Sequence, residues 1–272
     1  RIMLIKKLCL TALLFYLSMT SQEIKNDQLS DGPVASFNFF DEDETAAAET
    51  EPETGAQTEQ PRERRPTDEV AADLAALGIY VPDEVVNEIE DTYRMVEADE
   101  AYAGMYDYYL EYDPGFEYRM LLSGWGYGDY DDDWNWIPSS DKVYAFDTEV
   151  FNMSEMYTDF MKGVIAISGG EFEITDIVEN TDDVDYDEGT GTQVLSFRYN
   201  GTPYTFEATF YGDWLDCEVI GFMNRVFETE GNPKRLLATD DGGQGCILFY
   251  NTPEWGDELE AATGMDLNEY FY

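Results

Sequence analysis

The sequence predicts an α+β fold, in which an antiparallel sheet of five to six strands has helices packed on a face. The predicted order is β-α-β-β-β-α-β-β-α, preceded by a small helical segment. Three observations lead to this prediction. Two alternating apolar runs flank Asn200-Gly201, the dipeptide best suited to a two-residue hairpin turn. Two further apolar runs flank a glycine-containing loop at 240–243. Segments with apolar residues at helical spacing separate these strands and can cover the sheet.

Composition divides the 272 residues into four parts. Residues 1–20 place two lysines before a short apolar run, which is typical of a signal peptide and too short for a transmembrane span. Residues 21–66 have the composition of a disordered acidic tether. Residues 67–140 comprise a helical segment and an aromatic, acidic loop, and residues 141–272 comprise the α+β domain. Alternatively, residues 67–272 form a single body.

The helical segment is predicted from capping residues and apolar spacing. Thr67 suits the N-cap of a first helix that ends at Gly78. Pro82 suits the first turn of a second helix, and the short connection predicts an antiparallel pair. A third helical segment at 102–112 and a short helix at 116–122 complete this part.

In the α+β part, Asn152 with Glu155 has the pattern of a capping box, and Asp213 suits the N-cap of a later helix. Pro253 suits the first turn of the last helix. The predicted elements are a strand at 143–146, a helix at 152–167, a strand from 172 with a bulge near Asp176, a hairpin at 195–210, a helix from 213 to about 230, strands at 234–239 and 244–250, and a helix at 253–264.

The formal charge of −44 belongs to the folded part as well as to the tether. Residues 68–272 hold 47 acidic and 8 basic side chains, a formal charge of −39. Such a field repels nucleic acid and anionic membranes, and it attracts cations and basic proteins. We therefore expect no nucleic-acid partner. Adaptation to high salt, or plain solubility, is the alternative explanation.

The absence of histidine excludes several kinds of site. Without histidine, Ser-His-Asp and Cys-His nucleophilic machinery and every histidine-containing metal site are ruled out. Cys9 lies in the predicted signal peptide, so Cys217 and Cys246 remain. They form either one disulfide in an exported protein or two buried thiols.

Two acidic loops partly match a calcium-binding loop. Alternating carboxylates supply oxygen ligands in both, but each lacks the glycine needed at the sixth position. Solvated turn carboxylates are the alternative explanation, and calcium is the only cofactor that the sequence raises. The candidate ligands are Asp129, Asp131 and Asp133 in the first loop and Asp183, Asp185 and Asp187 in the second.

A belt of aromatic residues accompanies the first acidic loop. Aromatic rings can stack on sugars or form hot spots in protein interfaces, because they supply area at small entropy cost. The alternative is a satellite core that closes the helical part onto the sheet. The belt consists of Trp125, Tyr127, Tyr130, Trp134 and Trp136.

Three function classes remain open. The first is a non-enzymatic acidic binding module, secreted or associated with the cell envelope, that engages a protein or glycan partner through its acidic and aromatic surface. The second is an intracellular immunity or inhibitor protein that neutralises a basic effector, in which case the apparent signal peptide is illusory. The third is a carboxylate-dependent hydrolase, although paired carboxylates are uninformative in so acidic a chain.

Overall fold

The structure is a computed structural model that describes residues 62–99, 108–131, 136–150 and 152–267. The predicted signal peptide, and the predicted tether as far as residue 61, lie outside these ranges. Residues 62–66 contact the helices that follow, so the packed part of the chain includes the end of the predicted tether.

The order of elements in the α+β part is the predicted one. Strand, helix, three strands, helix, two strands and a final helix follow one another from residue 143. The elements are α1 Thr67–Ala76, α2 Asp83–Glu97, α3 Phe116–Gly126, β1 Asp129–Tyr130, β2 Trp136–Ile137, β3 Val143–Asp147, α4 Met156–Ile167, β4 Ile174–Asp185, β5 Thr190–Tyr199, β6 Thr202–Thr209, α5 Glu218–Thr229, β7 Arg235–Asp240, β8 Gly245–Asn251 and α6 Pro253–Thr263.

The α+β class and the antiparallel pairing are confirmed, but the six main strands form two sheets instead of one. The central sheet has the strand order β3-β8-β7, and the outer sheet has the order β4-β5-β6. A separate ribbon joins β1 to β2. The sheets are separate because β3 pairs with β8, far along the chain, while α4 connects β3 to β4 and packs against both.

The central sheet is buried on both faces. Every residue at 245–250 of β8 is buried, which explains why this strand is a nearly continuous apolar run. Leu248 and Tyr250 point into a core shared with the outer sheet, α4 and α5. Ile247 and Phe249 point into a second core, shared with α1, α2, α3 and α6. The helical part and α6 therefore pack on one face of the central sheet, and α4, α5 and the outer sheet pack on the other.

The outer sheet covers the first core with one face and leaves the other exposed. Leu195, Phe197 and Tyr199 of β5 are buried, and they alternate with more exposed residues. A cluster of aromatic rings fills the space between the two sheets, with centroids 5.1 to 5.6 Å apart. Its members are Phe172, Tyr199, Phe227 and Tyr250.

The predicted hairpin turn and bulge are both confirmed. Asn200 and Gly201 have φ of 47° and 85°, as a two-residue turn with two left-handed positions requires. The Asn200 side chain accepts a hydrogen bond from the Glu173 backbone N–H at 2.9 Å, which ties the turn to the start of β4. Asp176 has φ of 53° at a register shift between Thr175 and Val178.

Two predicted helix starts in the α+β part are wrong. The helix expected from Asn152 begins at Met156, and Glu179 of β4 accepts hydrogen bonds from the second and third backbone N–H groups of that helix. The helix expected from Asp213 begins at Glu218, whose backbone N–H donates to Asp216 at 3.0 Å. The backbone N–H groups in the first turn of each helix therefore donate to a carboxylate that the prediction did not name, Glu179 for α4 and Asp216 for α5.

The first helix also begins differently from the prediction. Thr67 is its first helical residue and Pro66 is the N-cap, which makes no side-chain cap. The Thr67 hydroxyl instead donates to Glu90 of α2 at 2.7 Å, so it joins two helices.

The two cysteines are thiols in this structure. Cys217 is half-buried and Cys246 is buried, and neither is bonded to the other. Burial raises the pKa of the Cys246 thiol well above its usual range, and it raises the pKa of Cys217 to about 12. Both side chains are therefore protonated and unreactive at neutral pH.

Candidate functional site

Four segments at one end of the two sheets form a continuous surface, which we call the acidic rim. They are residues 147–150 after β3, 185–189 between β4 and β5, 210–214 after β6, and 240–244 between β7 and β8. None of these segments contains a lysine or an arginine. Their carboxylates are Asp147, Glu149, Asp185, Asp187, Glu188, Asp213, Asp240 and Asp241.

Gln244 joins the segment after β3 to the loop between β7 and β8. Its amide Nε2 donates to Asp147 Oδ1 at 3.0 Å and to Glu149 Oε2 at 2.8 Å. The backbone carbonyl oxygen of Gln244 accepts hydrogen bonds from the Thr148 backbone N–H at 3.3 Å and from the Thr148 hydroxyl at 2.5 Å. One neutral side chain therefore holds two carboxylates side by side without neutralising either.

Backbone hydrogen bonds join the remaining segments. The Val150 N–H donates to the Asp213 carbonyl at 2.7 Å, and Glu149 forms an antiparallel bridge with Trp214. Tyr186, in the turn between β4 and β5, packs edge-to-face on Phe210 with ring centroids 5.4 Å apart. These contacts make the rim one surface built from four distant parts of the chain.

The rim contains a carboxyl group with a perturbed pKa. Burial raises the pKa of Asp147, and the charges of Asp241 and Glu149 raise it further. Hydrogen bonds from the Glu149 backbone and from Gln244 act in the opposite direction. Burial, together with the like charges at the rim, therefore makes ionisation of Asp147 less favourable.

Some rim carboxylates also shape their own turns. Asp185 Oδ1 accepts from the backbone N–H groups of Asp187 and Glu188, both at 3.0 Å. Asp241 Oδ1 accepts from the Gly243 and Gly245 N–H groups, both at 2.9 Å. These local hydrogen bonds fix the conformation of the two turns.

Four of the six basic residues of the α+β part lie at or near the other ends of the same strands, and the remaining two, Lys162 and Arg225, lie in α4 and α5. Lys142 precedes β3 and Arg235 begins β7, whereas the rim lies where these strands end. Arg198 lies beside the Asn200-Gly201 turn and pairs with Asp176 at 3.1 Å. Lys234 pairs with Glu171 at 2.5 Å. The strands thus separate the paired cations from the acidic rim.

Among the residues that the structure describes, Arg119 of α3 is the cation nearest the rim. Its Nε lies 3.7 Å from Asp240 Oδ1, and its side chain is only 9% exposed. Arg119 also pairs with Asp113, so it lies behind the rim and divides its charge between two carboxylates.

Aromatic side chains are exposed within the rim. Tyr186 is 46% exposed and Tyr211 is 57% exposed, and Trp214 beside them is half-buried. Tyr211 and Trp214 are joined by an antiparallel bridge. Rings of this kind next to unneutralised carboxylates provide both apolar area and long-range attraction for a basic surface.

The aromatic belt predicted from the sequence mostly fills the core. Trp125 is buried and its indole N–H donates to the Ser139 carbonyl at 2.9 Å. Trp136 is half-buried, and its indole N–H donates to the Tyr127 carbonyl at 2.8 Å. Trp125 belongs to the core beneath the helical layer, and Trp136 packs against the core between the two sheets, so the two rings contribute to different cores.

Two members of the predicted belt lie nearer the surface. The Tyr127 hydroxyl donates to Asp241 Oδ2 at 2.9 Å, so Tyr127 connects the belt to the acidic rim. Tyr130 is 43% exposed in the β1–β2 ribbon. Trp134 lies outside the described residues.

The structure forms no metal-binding cluster from the candidate calcium ligands that it describes. Asp129 and Asp131 lie at the β1–β2 ribbon, and Asp133 lies outside the described residues. Asp183, Asp185 and Asp187 follow one another along the end of β4 and its turn, where Asp185 accepts backbone hydrogen bonds. Within the described ranges, no three carboxylates or thiols are grouped so that they could hold a metal ion.

Sequence reasoning identified one quarter of the rim and missed the rest. The acidic loop between β4 and β5 was evident as a run of carboxylates, but Glu149, Tyr211 and Gln244 come from separate segments. A signal was present: the strand ends on this side carry Asp or Glu with no lysine or arginine, whereas the opposite strand ends carry the basic residues.

Comparison of the chain with protein-family models, with curated proteins and with solved structures found no match. In the part of the chain that the structure describes, no helix is long and apolar enough to cross a membrane. The inference of function therefore rests on the geometry and charge of the chain itself.

Proposed function

We propose that this protein is a non-enzymatic binding module that docks a basic protein partner on the acidic rim. The observation that carries the proposal is the composition of the rim. Four segments from different parts of the chain meet there, and together they contribute carboxylates and exposed rings but no basic side chain. A partner with clustered lysines or arginines supplies the missing charge.

The arrangement of ion pairs elsewhere supports this proposal. Arg198, Lys234 and Lys162 each pair with a carboxylate of their own region. By contrast, Asp187, Glu188 and Asp213 form no ion pair with any residue that the structure describes. Their field extends into solvent and steers a basic partner toward this end of the molecule, an effect screened over about 10 Å at 0.1 M salt.

We further propose that the module works outside the cytoplasm, as the sequence of residues 1–20 suggests. An acidic segment following a signal peptide suits a domain held at a distance from the cell envelope. Intact residues 1–20 on the native protein, detected by mass spectrometry in a cytosolic fraction, would contradict this location.

The rim is tested by neutralising charge in two places. One variant combines Asp187→Asn, Glu188→Gln and Asp213→Asn in the rim. The matched control combines Glu254→Gln, Asp257→Asn and Glu258→Gln on the exposed face of α6, and it removes the same formal charge. Binding to a small basic globular protein is measured by titration calorimetry over a range of sodium chloride concentrations.

We expect the rim variant to lose roughly tenfold or more in affinity and to show a weaker salt dependence, while the control changes less than about twofold. Tyr186→Ser with Tyr211→Ser is expected to weaken binding without changing the salt dependence. Equal losses in the rim and control variants would reduce the effect to net charge and overturn the proposed site. Salt-independent binding of a neutral oligosaccharide at the rings would favour a glycan partner instead.

A further inference from the structure

The chain already holds an arginine-rich segment in an acidic groove on its helical layer. Residues 62–66 cross this layer without helix or strand structure, and their three arginines reach three different helices. Arg62 pairs with Glu117 of α3 at 2.6 Å, Arg64 pairs with Glu90 of α2 at 2.8 Å, and Arg65 pairs with Asp73 of α1 at 2.7 Å.

Two of the arginines lie over aromatic rings as well as beside carboxylates. The Arg64 guanidinium lies 4.5 Å from the centroid of Tyr93 and also pairs with Glu97 at 2.9 Å. The Arg65 guanidinium lies 5.8 Å from the centroid of Tyr118 and donates to the Tyr118 hydroxyl at 2.6 Å. A planar guanidinium suits such sites, because it can stack on a ring and donate several hydrogen bonds at once.

One carboxylate of the groove, Glu117, is buried far more deeply than that of an ordinary surface ion pair, whereas Glu90, Glu97 and Asp73 are partly exposed. The Glu117 side chain is 1% exposed, and it accepts hydrogen bonds from the Arg62 side chain and from the Arg65 backbone N–H. Arg64 itself is only 13% exposed in its side chain. A carboxylate removed from water to this degree requires a cation, so the groove is built for an arginine-bearing chain.

The occupying segment is held mainly by its side chains. The Arg65 backbone N–H donates a hydrogen bond to Glu117, which helps to hold the segment in the groove. Helix α1 begins only after the segment, at Thr67. Pro66 is the N-cap of α1, and its carbonyl accepts from the Glu69 and Val70 N–H groups. Residues 62–65 can therefore leave without unwinding a helix or opening a strand pair, provided that Pro66 stays in place. The groove shares no residue with the acidic rim.

We propose that this groove is a recognition site for an arginine motif of the form Arg-x-Arg-Arg in a partner protein, and that residues 62–65 occupy it as an internal competitor. The partner's three arginines take the places of Arg62, Arg64 and Arg65. The site discriminates against lysine, because an ammonium group cannot bridge Glu90 and Glu97 while stacking on Tyr93. The protein then has two states, in which the groove is filled by its own segment or by the partner's.

The test uses the full chain and a labelled peptide with the sequence Pro-Arg-Glu-Arg-Arg-Pro-Thr, which copies residues 61–67. The internal competitor is weakened in the full-chain variant Arg62→Ala, Arg64→Ala, Arg65→Ala. Fluorescence anisotropy is measured at one fixed ionic strength. The controls are the same peptide with lysine for each arginine, a scrambled peptide of equal charge, and the variant with Glu117→Gln added.

We expect the arginine peptide to bind the triple-alanine variant at least tenfold more tightly than the unaltered protein. The lysine and scrambled peptides, and the added Glu117→Gln substitution, are each expected to weaken that binding at least tenfold. A folded triple-alanine variant that does not bind, or that binds the scrambled peptide equally well, would overturn the proposal. If the variant folds only with peptide present, circular dichroism measures the rescue: restoration by the arginine peptide alone supports the site, and its absence overturns it.

Discussion

The side-chain amide of Asn224 satisfies both backbone hydrogen-bonding groups of Leu236 on the outer side of the edge strand β7. Asn224 Nδ2 donates to the Leu236 carbonyl at 3.0 Å, and the Leu236 N–H donates to Asn224 Oδ1 at 2.7 Å. Asn224 is 2% exposed on α5. At Leu236 the amide therefore takes the place of a further strand, where the edge of the central sheet would otherwise present two unpaired backbone groups.

Removing this amide should destabilise the protein strongly. Asn224→Ala leaves a buried N–H and a buried carbonyl without partners, and we expect a loss of about 2–4 kcal/mol in the free energy of unfolding. Urea unfolding followed by circular dichroism measures the change. Asn152→Ala, which removes an exposed asparagine, serves as the control and should stay within about 0.5 kcal/mol. Similar unfolding midpoints for the two variants would show that the amide does not secure the edge.

The hairpin turn gives a second prediction. Gly201 has φ of 85°, a conformation that a β-branched residue adopts only with strain. Gly201→Val should therefore cost roughly 1–3 kcal/mol. Thr202→Val places the same side chain on the next residue, within β6, and should be nearly neutral. Thermal melts of the two variants decide the matter, and coincident curves would contradict the strain argument.

Acid titration should weaken the groove that holds Arg64. The hydrogen bond from Arg64, more than the one from Thr67, lowers the pKa of Glu90 from 4.5 to about 2. Because the folded-state pKa is the lower one, this stabilisation is fully present above pH 4.5 and is lost as the pH falls through about 2. Glu90→Gln should therefore be destabilising at pH 7 and progressively less so toward pH 2. A destabilisation that stays constant over this range in urea unfolding would contradict the ionic origin.

Salt should stabilise the protein at pH 7. A formal charge of −44 produces self-repulsion, which added ions screen. We expect the melting temperature to rise with sodium chloride, and low calcium at matched ionic strength to add nothing further. An additional rise with calcium would reveal a specific site through mass action. Melting temperatures that do not change with salt would contradict the electrostatic argument.

The sequence was most informative where structure is determined locally. The Asn200-Gly201 dipeptide predicted its own turn, and Pro253 correctly predicted the start of α6. These features need only a dipeptide conformation or one cap. Helix starts capped by distant carboxylates, such as Glu179 at α4, could not be read from neighbouring residues.

Contacts between distant residues explain the remaining differences. The apolar run of β8 predicts a strand buried on both faces. It does not predict that a second sheet helps to cover one face while helices cover the other. Arg64 and Arg65 resembled the end of a tether because their carboxylate partners lie in helices further along the chain. The acidic rim depends on the meeting of four segments that adjoin the ends of six strands, which composition alone cannot establish.

The shared central sheet makes the molecule indivisible at residue 140. A fragment that begins at 141 would lack α1, α2 and α3, so that only α6 would cover the face of the central sheet formed by Val143, Ile247 and Phe249. An apolar sheet face of this kind promotes aggregation. Calorimetry of the intact protein should accordingly record one heat-absorption peak, with the helical layer and the two sheets melting together.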